Sequence, residues 1–521
     1  MEIDENGVNK IAAIIDIGSN EIKMKISQVT KGNISDLEIL EYPINIGHEV
    51  FSERKISFES IINVSEILNG YVNVLKEYGI VNYKAIATTA MRESENCEFM
   101  VDQLKVKSGI NVEVIESNYE KTLIYFAIMK KIKQLNLPKD VSTLIAYIGT
   151  GSVGLALCRD DKIVFSHSIP IGYIKLRDTF TDIIESDVDV GVLMEEYLDK
   201  LLEGIRFWIN KNEKLNLIIT GAEVDTIFKA INQIENNIEL IVKKEQIYSL
   251  YEEFNTKDIN TLSSEYGISY NKIKCIHSVL AIYMCILKVT KAERINLLKV
   301  ELSDIMMEQM LIPNARKELE YNIIENALSS ARNICKYYNS NEKHCETLEN
   351  YACTIFDRLK KFHGLNQRRR LLLQIACILH ECGSSINPYN SFENVFNTIK
   401  NCNIYGLSHE ENLIIACIAS HNELAVNKYQ SELQNKLTTK NKLIISKLTA
   451  IFIVSNALDN SEKQKLSQVK VRINKDELII SGESNQNVML EKWAVDRCNS
   501  YFKEIFGLKL RLSIRPENLI I

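Results

Sequence analysis

The sequence predicts an α/β fold for roughly the first 313 residues, followed by an all-α region and a small α/β tail. The chain has 521 residues, which is enough for about three or four domains. Strand and helix patterns alternate in the first part, and two Gly-Ser turns about 130 residues apart each separate two apolar runs. Beyond residue 314 the strand patterns fade and apolar residues recur at helical spacing. We therefore expect domains at 1–135, 136–313, 314–460 and 461–521.

The chain opens with two strands joined by a tight turn. Ile11–Ile15 is a short apolar run typical of a buried strand, and it ends at the segment DIGSN, Asp16–Asn20. From Ile22 to Ile26 apolar and polar residues alternate, which predicts a second strand. A periodic apolar stretch of about 20 residues follows Ser57 and stops at Gly79, so Ser57 is the expected N-cap of a helix. The other elements expected in this segment are strands at 84–88 and 112–115 and helices at about 94–108 and 118–134.

The second segment repeats this order. The apolar run Thr143–Ile148 ends in a second turn of the same kind, GTGS at 149–152. Such a repeat is expected if one α/β domain has been duplicated, with a nucleotide or phosphate site between the copies. The strands expected after this turn are Val153–Leu157, Ile163–Ser166 and Leu215–Thr220.

Residues 314–460 show one helical pattern after another, as in the apolar spacing from Leu371 to Leu379. The tail returns to a mixed pattern. Residues 469–481 alternate as strands do, 487–506 have a helical pattern, and 508–514 predict a final strand.

Composition limits the classes of protein. With 46% hydrophobic and 25% charged residues the chain resembles a folded soluble protein. The formal net charge of −6 argues against a general nucleic-acid coat, which needs a basic excess. The first residues lack a basic and apolar leader, and no uncharged apolar stretch reaches the about 18 residues that a membrane span needs. We expect a cytoplasmic protein that binds neither a membrane nor a specific nucleic acid.

Both Gly-Ser turns are suited to phosphate. Glycine lets the backbone approach an anion closely, while backbone N–H groups and a Ser hydroxyl supply hydrogen-bond donors. A simple hairpin turn explains one such loop equally well, but two loops at strand ends favour a phosphate site. The candidate binding residues in them are Gly18, Ser19, Asn20, Gly149, Gly151 and Ser152.

Four short motifs occur in order along the chain. They are DIGSN at Asp16–Asn20, ATTAMR at Ala87–Arg92, EKTLIY at Glu120–Tyr125 and SIPIG at Ser168–Gly172. They resemble the exopolyphosphatase and guanosine pentaphosphate phosphohydrolase (Ppx/GppA) family, whose versions read D-[IL]-G-S-N, A-T-x-A-[LM]-R, E-A-R-L-I-Y and S-[LI]-P-[IL]-G. The resemblance continues into the helical region, where Phe356–Leu359 and His363–Leu365 match F-D-x-L and H-G-L of the family's HD-type domain.

The resemblance implies a fold of two duplicated actin-like ATPase (ribonuclease H-like) domains, an all-α HD-like domain and the small α/β tail. It implies hydrolysis of a phosphoanhydride, with release of the terminal phosphate of inorganic polyphosphate or guanosine pentaphosphate. Such a reaction depends mostly on positioning, charge neutralisation and an oriented water. The implied partners are polyphosphate or guanosine penta- and tetraphosphate, and homodimer formation stays open.

The same resemblance implies roles for individual residues. Glu120 is the implied catalytic base, Arg92 clamps phosphate oxygens through its planar guanidinium, and Asp16 holds Mg²⁺. Two of these residues have a structural alternative. Glu120 is alternatively a solvated side chain in the first turn of a helix, and Arg92 alternatively pairs with Glu93 or Glu95.

Two acidic positions depart from the family. Its second loop reads D-[IL]-G-G-G-S-T-E, whereas this chain has YIGTGSVG, with Tyr147 in place of Asp and Gly154 in place of Glu. A neutral phenol is a poor Mg²⁺ ligand. A later L-R-[DE]-G element is also altered, at Leu302–Ile305. Two hypotheses follow: a Ppx/GppA-type phosphatase, or a catalytically degenerate protein that binds polyphosphate or an alarmone nucleotide. A third, a sugar kinase or other actin-like ATPase, lacks an acceptor motif.

The helical region carries an altered set of HD-type metal ligands. The matching positions are His344, His380-Glu381 and Asn456, of which Asn456 lacks the usual charge. An accessory His is replaced at Asn394, although His421 remains. We expect a structural or dimerising role rather than a second active site. Basic residues that either wall a polyanion channel or form a solvated face are Arg368–Arg370, Lys436, Lys440, Lys442 and Lys447.

Overall fold

A computed structural model describes most of the chain. The described residues are 10–133, 141–180, 190–204, 208–209, 215–221, 223–232, 239–385, 387, 391–421 and 437–516. The chain forms two compact units, Met1–Ile323 and Ile324–Ile521.

Five strands form the first sheet of the first unit: β1 (Lys10–Ile17), β2 (Glu21–Thr30), β3 (Asn33–Pro43), β4 (Tyr83–Ala87) and β5 (Val112–Val114). Their order is β3-β2-β1-β4-β5. β1 pairs antiparallel with β2, and β2 antiparallel with β3. β4 pairs in parallel with β1, and β5 in parallel with β4. The turn Gly18–Asn20 therefore lies between the two central antiparallel strands, β1 and β2.

The helices in this part of the unit are α1 (Ile46–Glu53), α2 (Phe58–Glu77), α3 (Thr89–Glu93), α4 (Cys97–Ser108) and α5 (Ser117–Ile132). Ser57 caps α2 through its side chain, which accepts a hydrogen bond from Ser60 N, as predicted. The apolar face of α2 packs on the sheet, and the buried Tyr71 hydroxyl donates to the backbone oxygen of Ile22 in β2. This packing fixes the sheet from which the first turn projects.

Six strands form the second sheet: β6 (Ser142–Ile148), β7 (Val153–Arg159), β8 (Lys162–Ile169), β9 (Leu215–Gly221), β10 (Glu239–Lys243) and β11 (Arg294–Leu298). Their order is β10-β11-β9-β6-β7-β8. β6, β7 and β8 pair antiparallel, and β9 pairs in parallel with both β6 and β11. Five of its strands, in the order β8-β7-β6-β9-β11, thus correspond to β3-β2-β1-β4-β5 of the first sheet. The second Gly-Ser turn again joins two antiparallel strands, β6 and β7.

The helices that follow β8 within the first unit are α6 (Tyr173–Phe180), α7 (Val190–Leu202), α8 (Val224–Asn232), α9 (Lys244–Thr256), α10 (Ile259–Tyr266), α11 (Tyr270–Thr290) and α12 (Leu302–Leu311). Within α11, Lys272–Thr290 is long and apolar enough to cross a membrane, but 78% of its most apolar window is buried inside the fold. This burial is typical of the core helix of a folded domain, so its length and composition are weak evidence for a membrane.

The remaining helices are α13 (Ala315–Tyr337), α14 (Glu342–Arg358), α15 (Lys360–His363), α16 (Gln367–Leu379), α17 (Ser391–Asn401), α18 (His409–Ala419), α19 (Thr439–Ala457) and α20 (Met489–Phe506). The boundary between the two units falls within α13. A small sheet closes the second unit, with β12 (Ser467–Asn474) antiparallel to β13 (Glu477–Glu483), and β13 parallel to β14 (Lys509–Arg515).

The coarse fold prediction is confirmed: the content is mixed α/β, with a helical region toward the C-terminus. The strand β3 and the short helix α3 were not predicted, and α4 begins three residues later than expected. The duplication and the HD-like character of the helical region stay predictions, as do the four domain boundaries.

Candidate functional site

The two Gly-Ser turns meet in the first unit. Ser19, which is buried, lies after β1, and its Oγ is 2.9 Å from Oγ1 of Thr150 after β6. Each turn is closed by a backbone bond across it, from Gly18 N to Glu21 O at 2.9 Å and from Gly149 N to Ser152 O at 2.9 Å. The predicted phosphate-binding residues of both turns are therefore brought together.

Backbone packing fixes the second turn. The Tyr173 N–H donates to Gly149 O and the Ile174 N–H donates to Thr150 O, so the first turn of α6 holds the carbonyl groups of the loop. Gly172 precedes this helix, and a Cβ on it would lie 2.3 Å from Gly149 O. Only glycine fits at such a distance, which explains the last residue of the SIPIG motif.

Glu120, the predicted base, is buried at the start of α5. Its exposed fraction is 6%, so the alternative of a solvated first-turn side chain is wrong. Its Oε1 accepts a hydrogen bond of 2.9 Å from Tyr147 Oη, and its Oε2 lies 3.3 Å from Arg92 Nη1. Burial, followed by the negative charge of Glu120, raises the pKa of Tyr147 well above its ordinary value, which keeps the phenol a donor. Both carboxylate oxygens of Glu120 thus have a partner.

Arg92 is oriented by three partners. Besides Glu120, it donates from Nη1 to Ile115 O at 2.5 Å and from Nη2 to Thr89 Oγ1 at 3.1 Å. The alternative ion pairs of Arg92 with Glu93 or Glu95 are not the ones that form. Glu93 pairs with Lys175, and Glu95 pairs with Lys55. The guanidinium therefore lies beside the predicted base, as a phosphate clamp would.

Asp16, the predicted Mg²⁺ ligand, lies near the end of β1. Its Oδ1 is buried and has no hydrogen-bond partner among the residues that the structure describes. Burial, followed by the Glu120 carboxylate, raises the pKa of Asp16 to about 7. A carboxylate oxygen without a partner in such a place is suited to a cation.

The described side chains do not complete a Mg²⁺ site of the implied kind. Mg²⁺ takes octahedral oxygen ligands and is usually held by one or two carboxylates with water and substrate phosphate. Asp16 offers one unpartnered oxygen, whereas both oxygens of Glu120 are engaged. Tyr147 directs a hydroxyl donor at Glu120, and Gly154 has no side chain. Asp16 as a Mg²⁺ ligand stays a prediction, and these residues do not fit the ion as the family's acidic set would.

Sequence reasoning missed Lys121, the residue after Glu120. Its ammonium donates to Ser117 Oγ at 2.5 Å and to Ser152 Oγ in the second turn at 3.1 Å. The side chain is 5% exposed, and burial lowers the pKa of Lys121 to about 8. The signal in the sequence was its position, because the motif of the family has Ala there.

In the second unit, three predicted HD-type positions lie together. Potential ligand atoms of His344, His380 and Glu381 all lie within 4.8 Å of one another. His344 Nδ1 is 2.8 Å from Oδ2 of Asp459, an acid that sequence reasoning missed, since the spacing of the motif pointed to Asn456. Against the lowering effect of burial, the hydrogen bond with Asp459 raises the pKa of His344. The contact with Asp459 fixes one ring nitrogen of His344 in a hydrogen bond within the fold, which is what a structural role of this residue requires.

Two of the predicted channel arginines are neutralised by acids. Arg368 forms a bidentate pair with Glu411, at 2.7 and 2.6 Å, and Arg370 pairs with both oxygens of Asp357 at 2.9 Å. Lys447 donates to a backbone oxygen. Lys436 lies outside the described residues. These contacts favour the reading of this basic set as a structural and solvated face.

Comparisons with known proteins agree with the geometry. The Photobacterium profundum protein "Guanosine-5'-triphosphate,3'-diphosphate pyrophosphatase" is 20% identical over 426 residues, which cover 80% of each chain. A Fusobacterium nucleatum "Bifunctional 3-dehydroquinate synthase/phosphatase" is 25% identical over 189 residues, or 34% of this chain and 27% of that protein. The crystal structure of an exopolyphosphatase from Cytophaga hutchinsonii is 19% identical, covers 58% of this chain and 98% of its own, and gives a TM-score of 0.50. That likeness shows a shared fold.

Family models cover most of the chain. The model described as "Ppx/GppA phosphatase family" matches residues 25–310, and the model described as "Ppx/GppA phosphatase, domain III" matches residues 328–497. The first match alone spans more than half of the 521 residues and contains Arg92, Glu120 and the second Gly-Ser turn. This chain therefore belongs to the Ppx/GppA phosphatase family.

Proposed function

We propose that this protein is a phosphatase that removes the terminal phosphate from inorganic polyphosphate or guanosine pentaphosphate. One observation carries the proposal: Glu120 is buried between Arg92 and Tyr147, in the unit where the two Gly-Ser turns meet. A buried, oriented carboxylate beside an arginine is what positioning and charge neutralisation of phosphoryl transfer require.

Each group has a role in the proposed reaction. Glu120 accepts a proton from a water, whose oxygen attacks the terminal phosphorus, and the bond from that phosphorus to the bridging oxygen breaks. Arg92 exchanges its pairing with Glu120 for phosphate oxygens, which a planar guanidinium binds bidentately. The turns around Ser19 and Ser152 donate to the other phosphate oxygens.

The names of two matched proteins support the proposed substrate class. One matched relative is named for a guanosine pentaphosphate and the matched crystal structure for polyphosphate, and both substrates end in a phosphoanhydride. The test is release of phosphate from each compound by the full chain, with and without Mg²⁺. Release above that of Glu120→Gln supports the proposal, while release equal to that of Glu120→Gln from both substrates contradicts it.

A second candidate is a regulatory protein that binds the same phosphate compounds without hydrolysing them. It is favoured by the two lost acids, since Tyr147 and Gly154 stand where the motif of the family has Asp and Glu. Calorimetry that shows binding without phosphate release would select it. Restoring both acids, with Tyr147→Asp and Gly154→Glu, tests whether only ligands are missing. Lys121→Ala is combined with them, because the Lys121 stem as well as the Tyr125 hydroxyl lies within 3.0 Å of a Cβ at position 154.

A further inference from the structure

We propose that Lys121 takes the place of the metal ion at the phosphate site, so that this chain binds a phosphate chain without a divalent cation. The inference rests on the proposed function, because it assigns the cation of that same site. It explains two features together: a buried lysine in the motif that carries the base, and a glycine where the second loop of the family ends in an acid.

Lys121 and Gly154 fit together in space. A Cβ built on Gly154 would lie 2.9 Å from Lys121 Cδ and 3.0 Å from Lys121 Cε, and 2.5 Å from the hydroxyl of Tyr125. Real Cβ atoms essentially never approach other heavy atoms more closely than 3.0 Å. Any side chain at position 154 thus requires both the Tyr125 hydroxyl and the Lys121 stem to shift. The absence of a side chain at position 154 thus leaves the space that the Lys121 stem occupies.

The ammonium acts through the second turn. Lys121 Nζ donates to Ser152 Oγ at 3.1 Å, so Ser152 accepts with a lone pair and keeps its own hydrogen for another acceptor. Ser152 lies in the turn whose Thr150 contacts Ser19. A hydroxyl that is hydrogen-bonded by a cation is a stronger donor to an anion. Lys121 is thus a positioning residue that directs the Ser152 hydroxyl at a phosphate oxygen.

Formal charge points the same way. Relative to the motifs of the family, this chain lacks two acidic groups, at Tyr147 and Gly154. The single basic residue of the motif that carries the base is kept but moved, from the third position, Thr122 here, to the second, Lys121. The site is more positive by two charges, which equals the charge of one Mg²⁺ ion. Burial lowers the pKa of Lys121 to about 8, so the ammonium is mostly charged at pH 7. The side chains alone therefore supply the neutralisation that phosphate binding needs.

The test is calorimetry of the full chain with inorganic tripolyphosphate at pH 7 in EDTA. We expect binding by the natural sequence, no tightening when EDTA is replaced by Mg²⁺, and at least about 10-fold weaker binding by Lys121→Met. The matched control is Lys131→Met on the same helix, whose ammonium contacts the backbone oxygen of Lys299, and its affinity should not change. Equal affinity of Lys121→Met and the natural sequence would overturn the inference.

A second measurement does not depend on removing the charge. Lys121→Arg keeps a cation that does not titrate, so between pH 7 and 9.5 the natural sequence should lose affinity by about threefold or more relative to this variant. Among the described residues, the charged groups that shift the pKa of Lys121 are Glu120, Arg92 and Glu93, and Lys121 in turn lowers the pKa of His167. These four groups are the same in both proteins. Parallel pH profiles would overturn the inference.

Failure of this inference differs from failure of the proposed function. Binding or phosphate release that occurs only with Mg²⁺ overturns the role of Lys121 and leaves the phosphatase proposal standing. Absence of both tripolyphosphate binding and phosphate release, with and without Mg²⁺, overturns the two together.

Discussion

The close contact between Gly154 and Lys121 makes a prediction about stability that requires no substrate. Gly154→Ala adds one carbon, which would meet Tyr125 Oη at 2.5 Å and two Lys121 carbons at 2.9 and 3.0 Å. Overpacking of this kind costs about 1–3 kcal/mol, and we expect about 2 kcal/mol because the Lys121 stem is flexible whereas the tyrosine ring is not. Two of the three contacts belong to Lys121. Lys121→Ala should therefore relieve about 1 kcal/mol of that cost in the double variant.

The assay is urea unfolding followed by tryptophan fluorescence. The chain has two tryptophans, one in each unit, and Trp493→Phe leaves Trp208 as the reporter of the first unit. Trp208 stacks on Phe165 of β8 with ring centroids 4.4 Å apart, and β8 pairs with the strand that contains Gly154.

Lys131→Ala is the control for this cycle, since its ammonium contacts Lys299 O. Combined with Gly154→Ala, it should give additive losses within about 0.5 kcal/mol. The reasoning is refuted if the stability losses of Lys121→Ala and Gly154→Ala also add to within about 0.5 kcal/mol.

Three further predictions follow from the site and from the second unit. Tyr147→Phe removes the hydroxyl bonded to the buried Glu120 carboxylate and should cost about 1–3 kcal/mol in urea unfolding; a loss below about 0.5 kcal/mol would contradict it. His344→Ala removes a partner of the fully buried Asp459 and should cost the second unit about 2 kcal/mol by Trp493 fluorescence, whereas an unchanged midpoint would show that the pair contributes nothing. Because the folded-state pKa of Lys121 lies below that of the unfolded chain, the unfolded state binds more protons between about pH 8 and 10, and stability of the first unit should rise with pH there. Lys121→Met should lack this increment, and equal slopes for the two proteins would refute the assignment.

Much of the fold was predictable because local patterns carry it. The apolar run before Gly18 predicts β1 and its turn, and Ser57 with Gly79 predicts the limits of α2. β3 was missed because it is a largely exposed edge strand whose sequence, NISDLEILEYP, is rich in acidic residues. Such a strand has no buried face, so its apolar and polar residues do not alternate clearly. α3 has only five residues, too few for a helical period.

The site was predictable only in part, because the spacing of motifs along the chain does not show which distant residues contact each other in the fold. Motifs located Glu120 and Arg92, but their mutual contact joins residues 28 positions apart, and the nearby acids Glu93 and Glu95 were the plausible partners by sequence. Asp459 was missed because alignment of a motif pointed three residues earlier. Lys121 was missed because its role depends on its contact with Gly154, which is 33 positions away in the sequence and close only in the folded chain.

Gly172 and the first turn of α6 hold the second Gly-Ser turn through backbone atoms. The loop therefore owes its shape to groups that every amino-acid sequence supplies, apart from the glycine itself. The side chain of Tyr147, on the strand before the loop, takes no part in these backbone bonds. The shape of the loop and the chemistry beside it are therefore set by different groups. Evolution can therefore change the side chain at 147, and with it the charge beside the loop, while the backbone bonds that shape the loop are kept.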